Sequence, residues 1–322
     1  MILLGLCAGW SLITAAVHDG RPEGVLLAVL ATAGGYAAGR ISGALLPVAA
    51  PSVGAAAGLA TALALPHLPQ GPRYAVPLGH AGAVAALLAL SAGAACCASW
   101  GTSVRAWRLG LRALAAAIVL TGAVVGSAEG SVAGAAVLLC SLAAGSVTRR
   151  SVGIVALALA GAAAVATVWA VAEGALPGGL AGALTERFDA HRVRLWRDAL
   201  RLGFAEPGLG AGPGRFGELS GGASQVLPSD GTPHSAPLQQ LAEQGVVGLL
   251  LLTSVFGWLL HALWRTSRPT PVALSAGAAL TALAVIASVG DALSSTTVTA
   301  GAGLLAGWAT ARPWAGAEPT AL

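Results

Sequence analysis

Long apolar blocks alternate with short polar clusters along most of this chain, and two blocks, 81–100 and 152–171, are typical of them. Each runs close to or beyond the roughly 18 to 20 apolar residues that cross a bilayer core as a helix. Breaking the sequence at charges, Pro clusters and Gly clusters predicts about ten spans, near 2–17, 24–39, 41–65, 81–100, 109–125, 131–147, 152–172, 238–264, 271–289 and 293–311. The second and third meet at Gly39-Arg40. One region departs from the pattern: from Glu173 to Pro237 the chain turns polar. A long ordered connection of this kind is usually functional.

The fold expected is therefore all-α, a polytopic transmembrane bundle with one large extracytoplasmic loop containing a short amphipathic helix. It divides into an N-terminal bundle (1–172), the loop (173–237) and C-terminal membrane helices (238–322). Orientation follows from arginine placement, because short cytoplasmic loops collect positive charge. With the N-terminus inside, Arg40, then Arg105, Arg108 and Arg112, then Arg149 and Arg150, then Arg265 and Arg268, and finally Arg312 fall on the cytoplasmic side. Arg21 and Arg73 are exceptions. Both termini are then cytoplasmic in a multi-pass protein of the cell membrane, and 173–237 lies outside. The first block lacks a charged leader and a small-residue cleavage site, so it reads as a retained span.

Composition sharpens this reading. The 322 residues are 56% hydrophobic and 9% charged, against about a quarter charged in soluble domains. All 17 basic residues are Arg, and most sit between apolar blocks instead of forming a binding stripe, so the net charge of +4 does not point to nucleic acid. The four cysteines, Cys7, Cys96, Cys97 and Cys140, lie inside apolar runs without metal-ligand spacing and read as small buried hydrophobes. No metal and no cofactor is implied.

Within the polar loop, RFDAHRVRLWRDALRLGF (187–204) places Arg187, Arg194, Arg197 and Arg201 within about 80° of one another on a helical wheel. That ridge is either a solvated surface or a track for lipid phosphates. Arg192 falls on the opposite side with Phe188, Trp196, Ala199 and Gly203. A guanidinium there needs a partner, either a carboxylate such as Glu243 or Glu206 or a bound phosphate. EPGLGAGPGRF (206–216) brings Gly210, Gly212 and Gly214, whose backbone can approach a ligand closely or cradle an anion. In TPHSAPLQQLAEQG, Ser235 is a candidate N-cap that sets His234 beside a helix N-terminus, where the imidazole either only caps or hydrogen-bonds at the interface or, when neutral, accepts a hydroxyl proton.

Taken in order, RVRLW (192–196), EPGLGAGPGRF (206–216) and HSAPLQQLAEQGVVG (234–248) resemble the signature region of the O-antigen ligase and polysaccharide polymerase family. The close match covers about 60 residues. The resemblance implies transfer of a glycan from an undecaprenyl-pyrophosphate carrier to an acceptor hydroxyl on a glycan or glycolipid, at the outer face of the bilayer and without a metal. By the resemblance, Arg192 would hold the pyrophosphate and His234 would activate the acceptor. Arg215, Arg194, Gly210, Gly212 and Gly214 would contact substrate, and Glu243 would orient the histidine or close an ion pair. The chain has His234-Ser235 where the family has His-Asn, and GSAEGS (126–131) where it often carries Ser-Arg-Gly, leaving a second charge to come from elsewhere, such as Arg73. Two other readings remain open: a secondary transporter, which would place ionisable groups at mid-span, and a non-catalytic membrane protein that binds polysaccharide or lipid.

Overall fold

The structure, a computed structural model, describes residues 2–65, 78–175, 188–221 and 232–312. Arg73 and Arg187 fall outside them. The described residues contain no strand. In chain order the helices are α1 (Ile2–His18), α2 (Glu23–Leu45), α3 (Ala49–Ala64), α4 (Leu78–Gly101), α5 (Arg105–Val124), α6 (Ala128–Ala143), α7 (Arg150–Glu173), α8 (Ala190–Ala205), α9 (Phe216–Leu219), α10 (Ala236–Arg265), α11 (Thr270–Val289) and α12 (Thr296–Thr310). Six of them, α2, α4, α5, α7, α10 and α11, are long and apolar enough to cross a membrane. Shorter apolar helices are α1, α3 and α6.

The bundle is organised around α4 and α11. Nearly every position of these two helices is buried, because the others pack around them. The surrounding helices expose large apolar side chains such as Leu30, Leu120, Val124, Leu139 and Leu159. A soluble protein would leave such a surface unsatisfied, whereas lipid solvates it. Since apolar burial gives little drive between helices already in lipid, close backbone contact carries more of the association. It is most evident between α2 and α12. A Cβ on Gly35 or Gly39 would lie within 2.4 Å of the Ala300 or Leu304 carbonyl oxygens, and one on Gly307 within 2.5 Å of the Tyr36 oxygen. Larger residues would hold these backbones apart.

Several boundaries move from the sequence reading. The break between the second and third helices lies at Leu46-Pro47-Val48. Arg40 lies within α2 with its side chain exposed, and the helix stops at Leu46, because the residue before a proline is driven out of helical geometry. Arg105, Arg108 and Arg112 belong to the first turns of α5 rather than to a loop. Among the cysteines, Cys96 and Cys97 are buried, but Cys140 is exposed on the outer face of α6 and Cys7 is intermediate. That outer face is apolar as well, so the residue pattern could not separate the two environments.

Candidate functional site

The amphipathic helix expected in the polar loop is α8. Asp189 caps it, accepting the His191 N–H at 3.1 Å. Its apolar face, with Trp196, Ala199 and Leu200, packs with Leu238, Leu241 and Phe216 into a core separate from that of the bundle. The rings of Phe188 and Trp196 meet edge to face at 5.2 Å.

α10 is not a continuous helix. Gly245 takes φ 68° and ψ −166°, a region open essentially to glycine alone. The break frees carbonyls and an N–H that would otherwise be paired within the helix. The glycine-rich turn answers them: Ala211 N–H donates to the Ala242 carbonyl and Gly212 N–H to the Glu243 carbonyl, both at 2.9 Å, while Val246 N–H donates to the Pro207 carbonyl at 2.9 Å. The Trp10 indole of α1 reaches the Gln244 carbonyl at 3.1 Å. Gly210 and Gly245 meet backbone to backbone: a Cβ on Gly210 would stand 2.5 Å from the Gly245 nitrogen, and one on Gly245 2.5 Å from the Pro207 oxygen. Gly210, Gly212 and Gly214 all have positive φ.

The cradle of this turn does hold a polar group, and it comes from the chain itself. The Glu243 carboxyl group, almost fully buried, accepts backbone hydrogen bonds from Gly214 and Phe216 and a side-chain hydrogen bond from Gln239, with Asp291 as an electrostatic neighbour. Glu243 thus ties the turn to the broken helix. Gly210 N–H is bonded to the Glu206 carbonyl at 2.9 Å, so these N–H groups serve the fold.

Arg192 is half-buried and donates through Nη1 to the Val289 carbonyl at 2.9 Å, at the C-terminal end of α11. Among the described residues neither Glu243 nor Glu206 pairs with it: Glu206 lies 3.4 Å from His18 Nε2 instead. This single hydrogen bond leaves most of the guanidinium's five N–H donors unengaged among the described residues. His234 immediately precedes the N-cap Ser235 of α10, and its φ is +50°. Asp19, the other non-glycine residue with positive φ among the described residues, lies in the α1–α2 connection. That connection also touches the glycine-rich turn: Arg21 N–H donates to the Pro213 carbonyl at 2.7 Å, and Arg215 Nη1 to the His18 carbonyl at 2.8 Å. Arg215 is further engaged at 3.6 Å by Glu218. Arg194 is exposed.

Because α10 and α11 are packed helices joined by four residues, the start of α10 and the end of α11 share one end of the bundle. Arg192 and His234 are therefore at the same end, with the Glu243 clasp between their elements. Sequence reasoning missed Trp10, Gly245 and Asp291. The Gly245 signal lay in the sequence as a glycine inside a helical pattern, but nothing marked Trp10 or Asp291. Four buried polar atoms at this end, Trp196 Nε1, Thr232 Oγ1, Ser235 Oγ and Gln244 Nε2, have no hydrogen-bond partner among the described residues. Buried groups of this kind normally find one.

Apolar helices of membrane-crossing length and an inverted, apolar exterior define the class: an all-helical membrane protein. Compared with known proteins, the chain matches no family model, no curated sequence and no solved structure.

Proposed function

We propose that this protein transfers a glycan from an undecaprenyl-pyrophosphate carrier to an acceptor hydroxyl at the extracytoplasmic face of the cell membrane, as an O-antigen ligase-like or surface-polysaccharide polymerase-like enzyme. The observation that carries the reading is the placement at one end of a membrane bundle of both Arg192, half-buried with donors unengaged among the described residues, and His234, held with positive φ at a helix N-terminus. Unusual backbone conformations of this kind concentrate at active sites. The Ser235, Thr232 and Gln244 atoms left without a partner among the described residues add polar groups for a sugar or phosphate to bind.

In the reaction, the acceptor oxygen attacks the anomeric carbon of the carrier-linked sugar. The bond from that carbon to the pyrophosphate oxygen breaks, and its electron pair leaves on the pyrophosphate. His234 takes the hydroxyl proton, and the Arg192 guanidinium stabilises the developing pyrophosphate charge where water is scarce. Arg194, exposed at the same end, suits a phosphate approach, whereas Arg215 is engaged by the His18 carbonyl and Glu218. Glu243 and the three glycines act by building the site rather than by touching substrate.

Ten passes fit this reading: α1 to α7, then α10 to α12, with α8 and α9 outside. Arg40, Arg105, Arg108, Arg112, Arg149, Arg150, Arg265, Arg268 and Arg312 then gather at the opposite, cytoplasmic end, as short-loop charge sorting requires. The test is His234→Ala assayed for transfer from the lipid-linked donor. Product formation should fall by about 10²- to 10⁴-fold with membrane insertion unchanged, and Arg192→Ala should accumulate unreacted lipid-linked glycan. Undiminished transfer by His234→Ala would remove the proposal.

A further inference from the structure

The exposed residues of α8 form one stripe: Ala190, Arg194, Arg197, Arg201, Phe204 and Ala205. Three are cations and one is a large aromatic. Among the described residues Arg194 has no charged or hydrogen-bonding partner, while Arg201, itself exposed, meets the half-buried Asp198 at 3.2 Å, a pair that solvent screens from the arginine side. Arg197 Nε donates to the Ala172 carbonyl at 3.3 Å, within the last turn of α7. Phe204 meets Trp169 edge to face at 5.9 Å. Trp169 sits four residues before the end of α7, and its indole donates to Glu173 at 2.7 Å.

These contacts fix the height of α8. α7 is one of the helices long and apolar enough to cross a bilayer, so its final turn lies at a membrane surface, the level at which tryptophan concentrates. α8 is tied to that turn at two points. Its cationic stripe therefore runs where phospholipid headgroups are, and Phe204 projects beside Trp169 toward the acyl boundary. We infer that the α8 stripe is a docking surface for the headgroups of anionic phospholipids, Arg194 and Arg201 contacting phosphate while Trp169 and Phe204 anchor the helix at the interface. Amphipathic interfacial helices combine apolar insertion with attraction to anionic lipid in this way. The inference needs only the membrane class and does not rest on the glycosyl-transfer reading.

The experiment titrates delipidated full-length protein in neutral detergent with phosphatidylglycerol or phosphatidylcholine and reads bound lipid by native mass spectrometry. Wild type should retain phosphatidylglycerol preferentially, and the preference should weaken at about 0.5 M salt. Arg194→Gln with Arg201→Gln should weaken phosphatidylglycerol binding by about 25-fold, from a factor of about five per arginine near a surface, and leave phosphatidylcholine binding unchanged. Arg194→Lys with Arg201→Lys should keep the preference, since a point charge suffices for a headgroup. Equal retention of the two lipids by wild type, a preference indifferent to salt, or loss of preference in the lysine variant would each overturn the inference. Inorganic pyrophosphate should compete no better than its ionic strength explains; competition at low concentration would reassign the stripe to a soluble phosphate and overturn it too.

Discussion

The two ends of the bundle solve the same problem with different chemistry. Each must satisfy helix-terminal carbonyls close to lipid, where an unpaired backbone group is costly. At the end where α10 meets α11, arginines do this. Arg268 donates to the Ala311 carbonyl at 2.9 Å and to that of Gly43 at 2.6 Å. Arg150 reaches the Thr266 carbonyl at 2.6 Å and the Arg268 carbonyl at 2.5 Å. Four helices, α2, α7, α10 and α12, are stapled there by two guanidinium groups. At the other end the carbonyls freed at Gly245 are met by backbone N–H groups and an indole, and Glu243 fills the cradle. The first arrangement commits Arg150 and Arg268 to the fold. The second leaves Arg192 with spare donors beside a polar segment. Guanidinium groups hold the fold at the first end, whereas the proposed chemistry falls at the end where glycine backbone does that work.

Substituting the glycine at the break tests this contrast most severely. Gly245→Ala forces a side chain into a backbone conformation that costs about 1–3 kcal/mol by itself and drives its Cβ against the Pro207 carbonyl. The total loss should be about 4 kcal/mol, read as a lowered thermal midpoint in detergent, together with protease sensitivity around 207–216. A midpoint equal to wild type would show that the turn is not seated on the break. Arg268→Ala removes two charge-assisted bonds and should cost about 3 kcal/mol, with destabilisation reported from the opposite end by the same melt. If its effect matched that of an exposed arginine, the stapled end would be no lock. Glu243→Ala leaves buried N–H groups without an acceptor and should cost about 2 kcal/mol. Glu243→Gln, which keeps an acceptor oxygen, should cost less than half as much. Equal losses for the two variants would mean that the negative charge, not the hydrogen bonds, holds the turn.

The helices were largely legible in the sequence because the signal for a membrane span is local: about twenty apolar residues carry it wherever they fold. α8 was legible for the same reason, its Arg194, Arg197 and Arg201 stripe being a matter of helical period alone. Partnerships were not. Arg192 was expected to meet Glu243, Glu206 or a phosphate, and it meets the carbonyl of Val289, 97 residues away. The glycine run reads as a cradle for an anion, and the group it holds is the chain's own Glu243 carboxyl. A glycine run announces only that backbone can come close.

What the sequence by itself determined is the solvent of this protein, the approximate places of its helices, and which residue types could do chemistry. Tertiary structure decided which of those residues are already engaged. It broke α10 at Gly245, seated the turn in the break and left Arg192 donors unassigned. The physical reason is that burial of apolar length is additive along the chain, whereas a hydrogen bond or ion pair depends on where two distant segments happen to meet.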